Sequence, residues 1–245
     1  MPSVERPGRV SIWYEAHGAG SGPGLDAPPI VLAHGFGVST GMWWPQIEPL
    51  SRSHWLILWD ARGHGRSSAP REPEAYSMSL FAADLRAVLD DAGASDGAII
   101  GGMSFGGQIA LQFAVDYPEA ARALIFSDSG PRGPVDPSEP PREVPIEYEL
   151  DGLGGAFLAM AARPDLTSAL PALRMPALVI YGEHDARLAE PVRRLAEGLP
   201  QRRVVCLAGC THGRSAQRPD DWSTVVLRFL DDVEAGREIS GEMMV

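Results

Sequence analysis

Residues 99–107 read Ile-Ile-Gly-Gly-Met-Ser-Phe-Gly-Gly, and they constrain the chain more than any other stretch. The run opens as a short apolar segment, the mark of a strand covered on both faces. It turns on Gly102, Ser104 and Gly106, then continues over residues 108–114 with the apolar content of a buried helix. A serine on so sharp a strand-to-helix turn needs neighbours without side chains, because the backbone folds back on itself there. The turn pushes the Ser104 hydroxyl out of the sheet and over the positive end of the next helix. A nucleophile that passes through an oxyanion gains most from that position. The G-x-S-x-G pattern alone says little, since Gly and Ser are common; its place between a strand and a helix gives it weight.

The remaining chain repeats the same alternation. Short apolar runs at 30–33, 55–59, 123–126, 177–181 and 203–207 read as buried strands, and each is followed by a polar or Gly-rich turn. Residues 79–89, 189–198 and 221–233 carry helical spacing. Residues 10–15 alternate apolar and polar and read as an edge strand; residues 234–245 read as a frayed tail. Strands alternating with helices imply an α/β fold with a mostly parallel central sheet and helices on both faces. In such sheets ligands bind beyond the carboxyl ends of the strands. The length of 245 residues suits one domain spanning 1–245. Composition shifts once, at 129–172. Pro131, Pro134, Pro137, Pro140, Pro141 and Pro145 exclude helix or central strand from its first part, while 155–162 suits one short helix. The segment reads as a short Pro-rich cap, a thin lid that leaves the pocket open.

A formal net charge of −11 argues against nucleic acid and against an anionic membrane face as partners. No apolar run approaches the ~20 residues of a membrane span. Residues 1–9 are polar and lack the apolar core of a signal peptide. With only two cysteines, Cys206 and Cys210, there is no disulfide framework, and the expected setting is cytoplasmic. A metal site built from Cys206, Cys210 and His212 lacks a second pair of ligands and is set aside, so no metal is expected. There is no phosphate-binding glycine loop, and no cofactor is implied.

Five elements then occur in order, each after an expected strand: His34-Gly35-Phe36-Gly37, Asp60-x-Arg62-Gly63-x-Gly65-x-Ser67, Gly102-x-Ser104-x-Gly106, Asp185 and His212. In these the chain resembles the α/β-hydrolase family over roughly residues 10–233. The resemblance implies the α/β-hydrolase fold and a triad that runs Ser, acid, His along the chain. Ser104 is then the nucleophile. Of the 6 histidines only His184 and His212 follow it, and His184 adjoins the expected acid, which leaves His212 as the base. Asp185 is the expected acid, Asp128 its alternative and Glu183 a more distant one. The backbone N–H groups of Phe36 and Phe105 would form the oxyanion hole. Gly35, Met103 and Trp43 are expected at the substrate pocket, with core packing the safer reading for Trp43, and the Phe36 ring lies along the acyl side or in the core. Arg62 would brace neighbouring loops, and His34, His54 and His64 would be structural.

The implied activity is a serine hydrolase cleaving small or medium carboxylic esters or lactones through an acyl-enzyme on Ser104. The motifs are most similar to compact esterases and to members like 3-oxoadipate enol-lactonase. A C–C bond hydrolase or acyltransferase with the same triad is an alternative, as is a non-catalytic receptor or scaffold of the same fold. Met103 stands where relatives often carry His or Asn before the nucleophile. Relatives that are haloalkane dehalogenases or epoxide hydrolases carry aspartate as the nucleophile, and Ser104 argues against both.

Overall fold

Among the described residues, nine strands form one sheet in the order β1-β2-β4-β3-β5-β6-β7-β8-β9. They are β1 (Ser3–Arg6), β2 (Val10–His17), β3 (Ile30–Ala33), β4 (Leu56–Trp59), β5 (Ala98–Met103), β6 (Ala121–Ser127), β7 (Ala177–Gly182), β8 (Arg202–Leu207) and β9 (Glu242–Met244). β1 and β2 pair antiparallel, as do β2 and β4; every other pairing is parallel. The structure is a computed structural model, and it describes residues 2–18, 27–131, 153–213 and 217–245.

The central strands are continuous apolar runs because both of their faces are covered. Successive side chains point to opposite faces, so β3 sends Val31 and Ala33 into one core and Ile30 and Leu32 into the other. Helices α2 (Met78–Ala92) and α3 (Phe105–Asp116) cover the first face through Phe81, Leu85, Phe105 and Ile109. Helices α1 (Trp44–Ser51) and α6 (Pro219–Glu234) cover the second through Leu50, Trp222, Val226 and Phe229. Between them lie α4 (Gly154–Ala161) and α5 (Ala189–Gly198), which pack on the first core through Ala156 and Leu195. Ser77 caps α2 by accepting the Leu80 N–H at 3.1 Å, which satisfies one of the helix's orphan donors. No helix among the described residues is long and apolar enough to cross a membrane.

Three expectations change here. Residues 10–15 belong to β2, which is not an edge: β1 pairs outside it, through residues whose polarity hides them as a strand. The tail is not frayed throughout, because β9 adds in parallel to β8 with Val204 opposite Glu242; its side chains are exposed, so no buried face marks it. Trp43 goes to the core instead of a pocket, fully buried with its ring 5.2 Å from that of Trp222. The first part of the expected cap, including Pro134, Pro137, Pro140, Pro141 and Pro145, lies outside the described residues. Its second part contains α4 where 155–162 suggested a helix.

Candidate active site

Ser104 sits between β5 and α3 with φ 54° and ψ −111°. Non-glycine residues rarely hold a positive φ, and one held there stores strain of about 1–3 kcal/mol. The surroundings impose it. The Ser104 N–H donates to the Ser127 carbonyl at the end of β6 at 2.8 Å, and the Ser104 carbonyl accepts the Ser129 hydroxyl at 3.0 Å and the Gln108 N–H at 3.1 Å. Gly106 permits the close approach, since a Cβ there would lie 2.1 Å from the Ala33 carbonyl oxygen and 2.7 Å from that of His34. The same approach sets the start of α3 against the end of β3. Phe105 heads α3, where first-turn amides have no acceptor within the helix, and its ring meets that of Phe36 edge-on at 6.1 Å.

The turn that carries Phe36 is braced from beneath. His34 is fully buried; its Nδ1 pairs with the Gly35 carbonyl at 2.7 Å, and its Nε2 accepts the Ala61 N–H at 3.0 Å. The second bond fixes Nε2 as the unprotonated nitrogen and Nδ1 as the donor. Desolvation holds the His34 pKa down to about 4. His64 stacks on Phe105 at 5.6 Å, and desolvation, aided by His34, lowers its pKa to about 3. Both imidazoles are therefore neutral structural groups near pH 7. Asp60 accepts the N–H groups of Thr40 at 2.8 Å and Arg66 at 3.0 Å. Arg62 grips Asp84 with two bonds of 2.6 Å and also donates to the Ala75 carbonyl. This buried, bidentate pair ties the turn after β4 to α2, and the bond to Ala75 adds the short turn before that helix.

Asp185 follows β7 and is buried, with its side chain 3% exposed; His212 follows β8 and is 33% exposed. They meet through His212 Nδ1 and Asp185 Oδ2 at 2.7 Å. A carboxylate only accepts, so Nδ1 carries the proton and Nε2 is left as the basic nitrogen. The loop before His212 is tied down by the His184 N–H on the Cys210 carbonyl at 2.8 Å and by Glu183 accepting the Gly209 N–H at 2.8 Å. Glu183 is thereby a loop brace and does not touch His212. Asp128, at the end of β6, accepts the Gly213 N–H at 3.1 Å. Ligand atoms of Asp128, Asp185 and His212 lie within 4.8 Å of one another. Two tetrahedral zinc ligands stand about 3.4 Å apart; the 2.7 Å contact is a hydrogen bond and leaves no seat for an ion between its partners.

Ser104, Asp128 and His212 line one cavity of about 380 Å³, together with Gln108, Ser129, Phe157, Met160, Arg163, Arg187, Leu188 and Pro191. No hydrogen bond joins Ser104 to His212 here; such contacts are often long before substrate binds. Of the residues expected at the pocket, Gly35 and Met103 pack on each other, with a Gly35 Cβ placed 3.0 Å from Met103 Cε, and neither is among the described lining residues. Sequence reasoning missed Gln108 and Arg163. Gln108 was within reach of it, because it lies one turn along α3 from Ser104 and shares its helix face; a lone arginine after a short helix gives no such signal. Cys206 and Cys210 are both buried and free.

A family model described as the alpha/beta hydrolase fold matches residues 28–151. RutD of Azorhizobium caulinodans, named as a candidate carbamate hydrolase, is 29% identical over 93% of this chain and 97% of its own. Among solved structures, a thermophilic esterase from Thermogutta terrifontis with malate bound superposes with a TM-score of 0.80 at 27% identity, over 94% of this chain and 97% of that one. The enol-lactonase from Burkholderia xenovorans gives 0.79 at 25% identity, over 94% and 100%.

Proposed function

Because the chain belongs to the α/β-hydrolase family, we propose that it is a serine hydrolase of small or medium carboxylic esters or lactones, with carbamates a further class suggested by its RutD relative. The observation that carries this reading is the bond of 2.7 Å from His212 to the buried Asp185, at the cavity that Ser104 lines.

Each residue then has a defined task. Asp185 holds the His212 proton on Nδ1, so Nε2 accepts the proton of Ser104 as its oxygen attacks the carbonyl. The carbonyl π electrons move to its oxygen, and the N–H groups of Phe105 and Phe36 receive that oxyanion. The protonated His212 next gives its proton to the leaving alkoxide, and the C–O bond breaks to leave an acyl-Ser104 ester. Water, deprotonated by His212, attacks this ester; the acid departs and Ser104 regains its proton. Placing the oxyanion donors on a braced turn and a helix start means they need little reorganisation at the moment of reaction.

Asp128 is the rival acid, since it also stands within 4.8 Å of His212. Its recorded bond to the Gly213 N–H supports a different task, holding the His212 loop against the end of β6. Residues 1–245 serve in this reading as a single domain, in which α4 contributes Phe157 and Met160 as a thin cover over the cavity. The test is turnover of short-chain p-nitrophenyl esters beside Ser104→Ala: saturable hydrolysis that the substitution abolishes is expected, and hydrolysis that survives it would remove Ser104 from the chemistry.

A further inference from the structure

The cavity holds two polar side chains that the reaction above does not use. Arg163 lies just beyond α4, and its Nη1 donates to the Met160 carbonyl at 2.7 Å. Its Nε is buried without a partner, and among the described residues no carboxylate pairs with it. Gln108 stands one helical turn beyond Ser104 on α3, and its buried Oε1 also lacks a partner. A half-turn of that amide exchanges the oxygen for an NH₂ donor. Both residues border the main cavity and the small pocket beside it, where their neighbours include Met78, Leu111 and Leu166. Burial lowers the Arg163 pKa to about 10, so the group stays positive at neutral pH. A desolvated cation with no counter-charge is unfavourable until an anion arrives.

Other charges on this cavity do not fill that role. Arg187 is 81% exposed and faces Asp185 Oδ1 at 3.7 Å, so it is a screened rim group. Asp128 is the one acid among the described lining residues, and it is tied to the His212 loop through Gly213. An anionic substrate is therefore drawn to Arg163.

Resting on the hydrolase reading, we propose that this cavity selects esters or lactones bearing a second, free carboxylate, which Arg163 and Gln108 bind while the reacting carbonyl lies over Ser104. Gln108 follows Ser104 by one helical turn, roughly 6 Å along the axis of α3. That is the span of a short dicarboxylic monoester.

The test compares mono-p-nitrophenyl glutarate with neutral p-nitrophenyl pentanoate. The native protein is expected to favour the glutarate about tenfold or more in kcat/KM, the scale of a desolvated charge-assisted hydrogen bond. Arg163→Gln should cut that preference about tenfold, chiefly through KM, and Arg163→Lys should recover part of it. If Arg163 only caps α4, the substitution lowers both esters alike and the proposal falls. Native protein alone supplies a second reading. Free glutarate should inhibit competitively and lose potency in added KCl, whereas neutral glutaramide should not inhibit; equal inhibition by both contradicts the proposal. Turnover of the pentanoate with none of the glutarate overturns it and leaves the hydrolase reading standing. If neither ester turns over, calorimetry with glutarate decides: binding to the native protein that Arg163→Gln loses keeps the anion site while the hydrolase reading fails, and no binding ends the proposal.

Discussion

On one side of the cavity Ser104 stands on a strained turn pinned to β6, backed by Phe105 and by two neutral, buried histidines. On the other side α4 brings Phe157, Met160 and Arg163 to the wall, and most of its residues are only half-buried. The first region is over-determined: backbone bonds, a bidentate ion pair and aromatic packing all fix it. The second is held by a few contacts, and its polar atoms are not all satisfied. The contrast suits a division of labour. Positioning a nucleophile and oxyanion donors tolerates little error, whereas accommodating a substrate needs a wall that can adjust and polar groups still available to it.

The comparison breaks first at the rigid side. Ser104→Ala or His212→Ala should lower kcat by about 10⁴-fold or more in an ester assay, because residues acting as one unit fail together. Asp185→Asn should cost about 10³- to 10⁴-fold by releasing the His212 tautomer. Asp128→Asn should cost under about tenfold, since the amide oxygen still accepts the Gly213 N–H. Equal losses for the two aspartates would move the acid to Asp128.

Stability sharpens the contrast next. Gly106→Ala forces a methyl to within 2.1 Å of the Ala33 carbonyl oxygen, and urea unfolding should show a loss of about 3 kcal/mol. A change under about 1 kcal/mol would show that the turn can yield. The buried histidines add an acid dependence. The unfolded chain protonates histidine near pH 6.5, as a rough reference value, whereas His34 and His64 in the fold wait until about 4 and 3. Over that interval the unfolded state binds more protons, so stability is full above the upper value and falls as pH drops. Each histidine contributes a slope of about 1.4 kcal/mol per pH unit. Unfolding curves at pH 8 and pH 5 should diverge accordingly, and His64→Phe should remove one of the two increments. The smallest effect belongs to the soft side. Gly155 lies where a Cβ would meet the Tyr76 ring at 2.2 Å. Gly155→Val should lift α4, raise KM roughly threefold and leave kcat within about twofold. Equal effects on both would tie α4 to the chemistry.

The same division decides what was legible in the sequence. The places of Ser104, Asp185 and His212 after β5, β7 and β8 could be read because each follows a buried strand whose apolar run is plain, and because the turn around Ser104 demands glycine. Phe36 and Phe105 were named as oxyanion donors through the family resemblance, and the structure puts their rings 6.1 Å apart at the ends of β3 and β5. Trp43 was left between pocket and core because a tryptophan near a pocket motif gives no sign of whether it points outward or toward Trp222. β1 and β9 were invisible because their pairing is backbone-to-backbone and their side chains are largely exposed, which erases the alternation that marks a half-buried strand. Arg163 escaped because its meaning lies in what surrounds it: a cavity wall assembled from α3, α4 and the end of β6, on which no carboxylate among the described residues pairs with it.

The most direct test of the central claim is peptide mass spectrometry after reaction of the native protein with a fluorophosphonate. One adduct on the peptide carrying Ser104, formed slowly or not at all in His212→Ala, is the result expected. A native protein that takes no label, or takes it at another serine, would contradict the account.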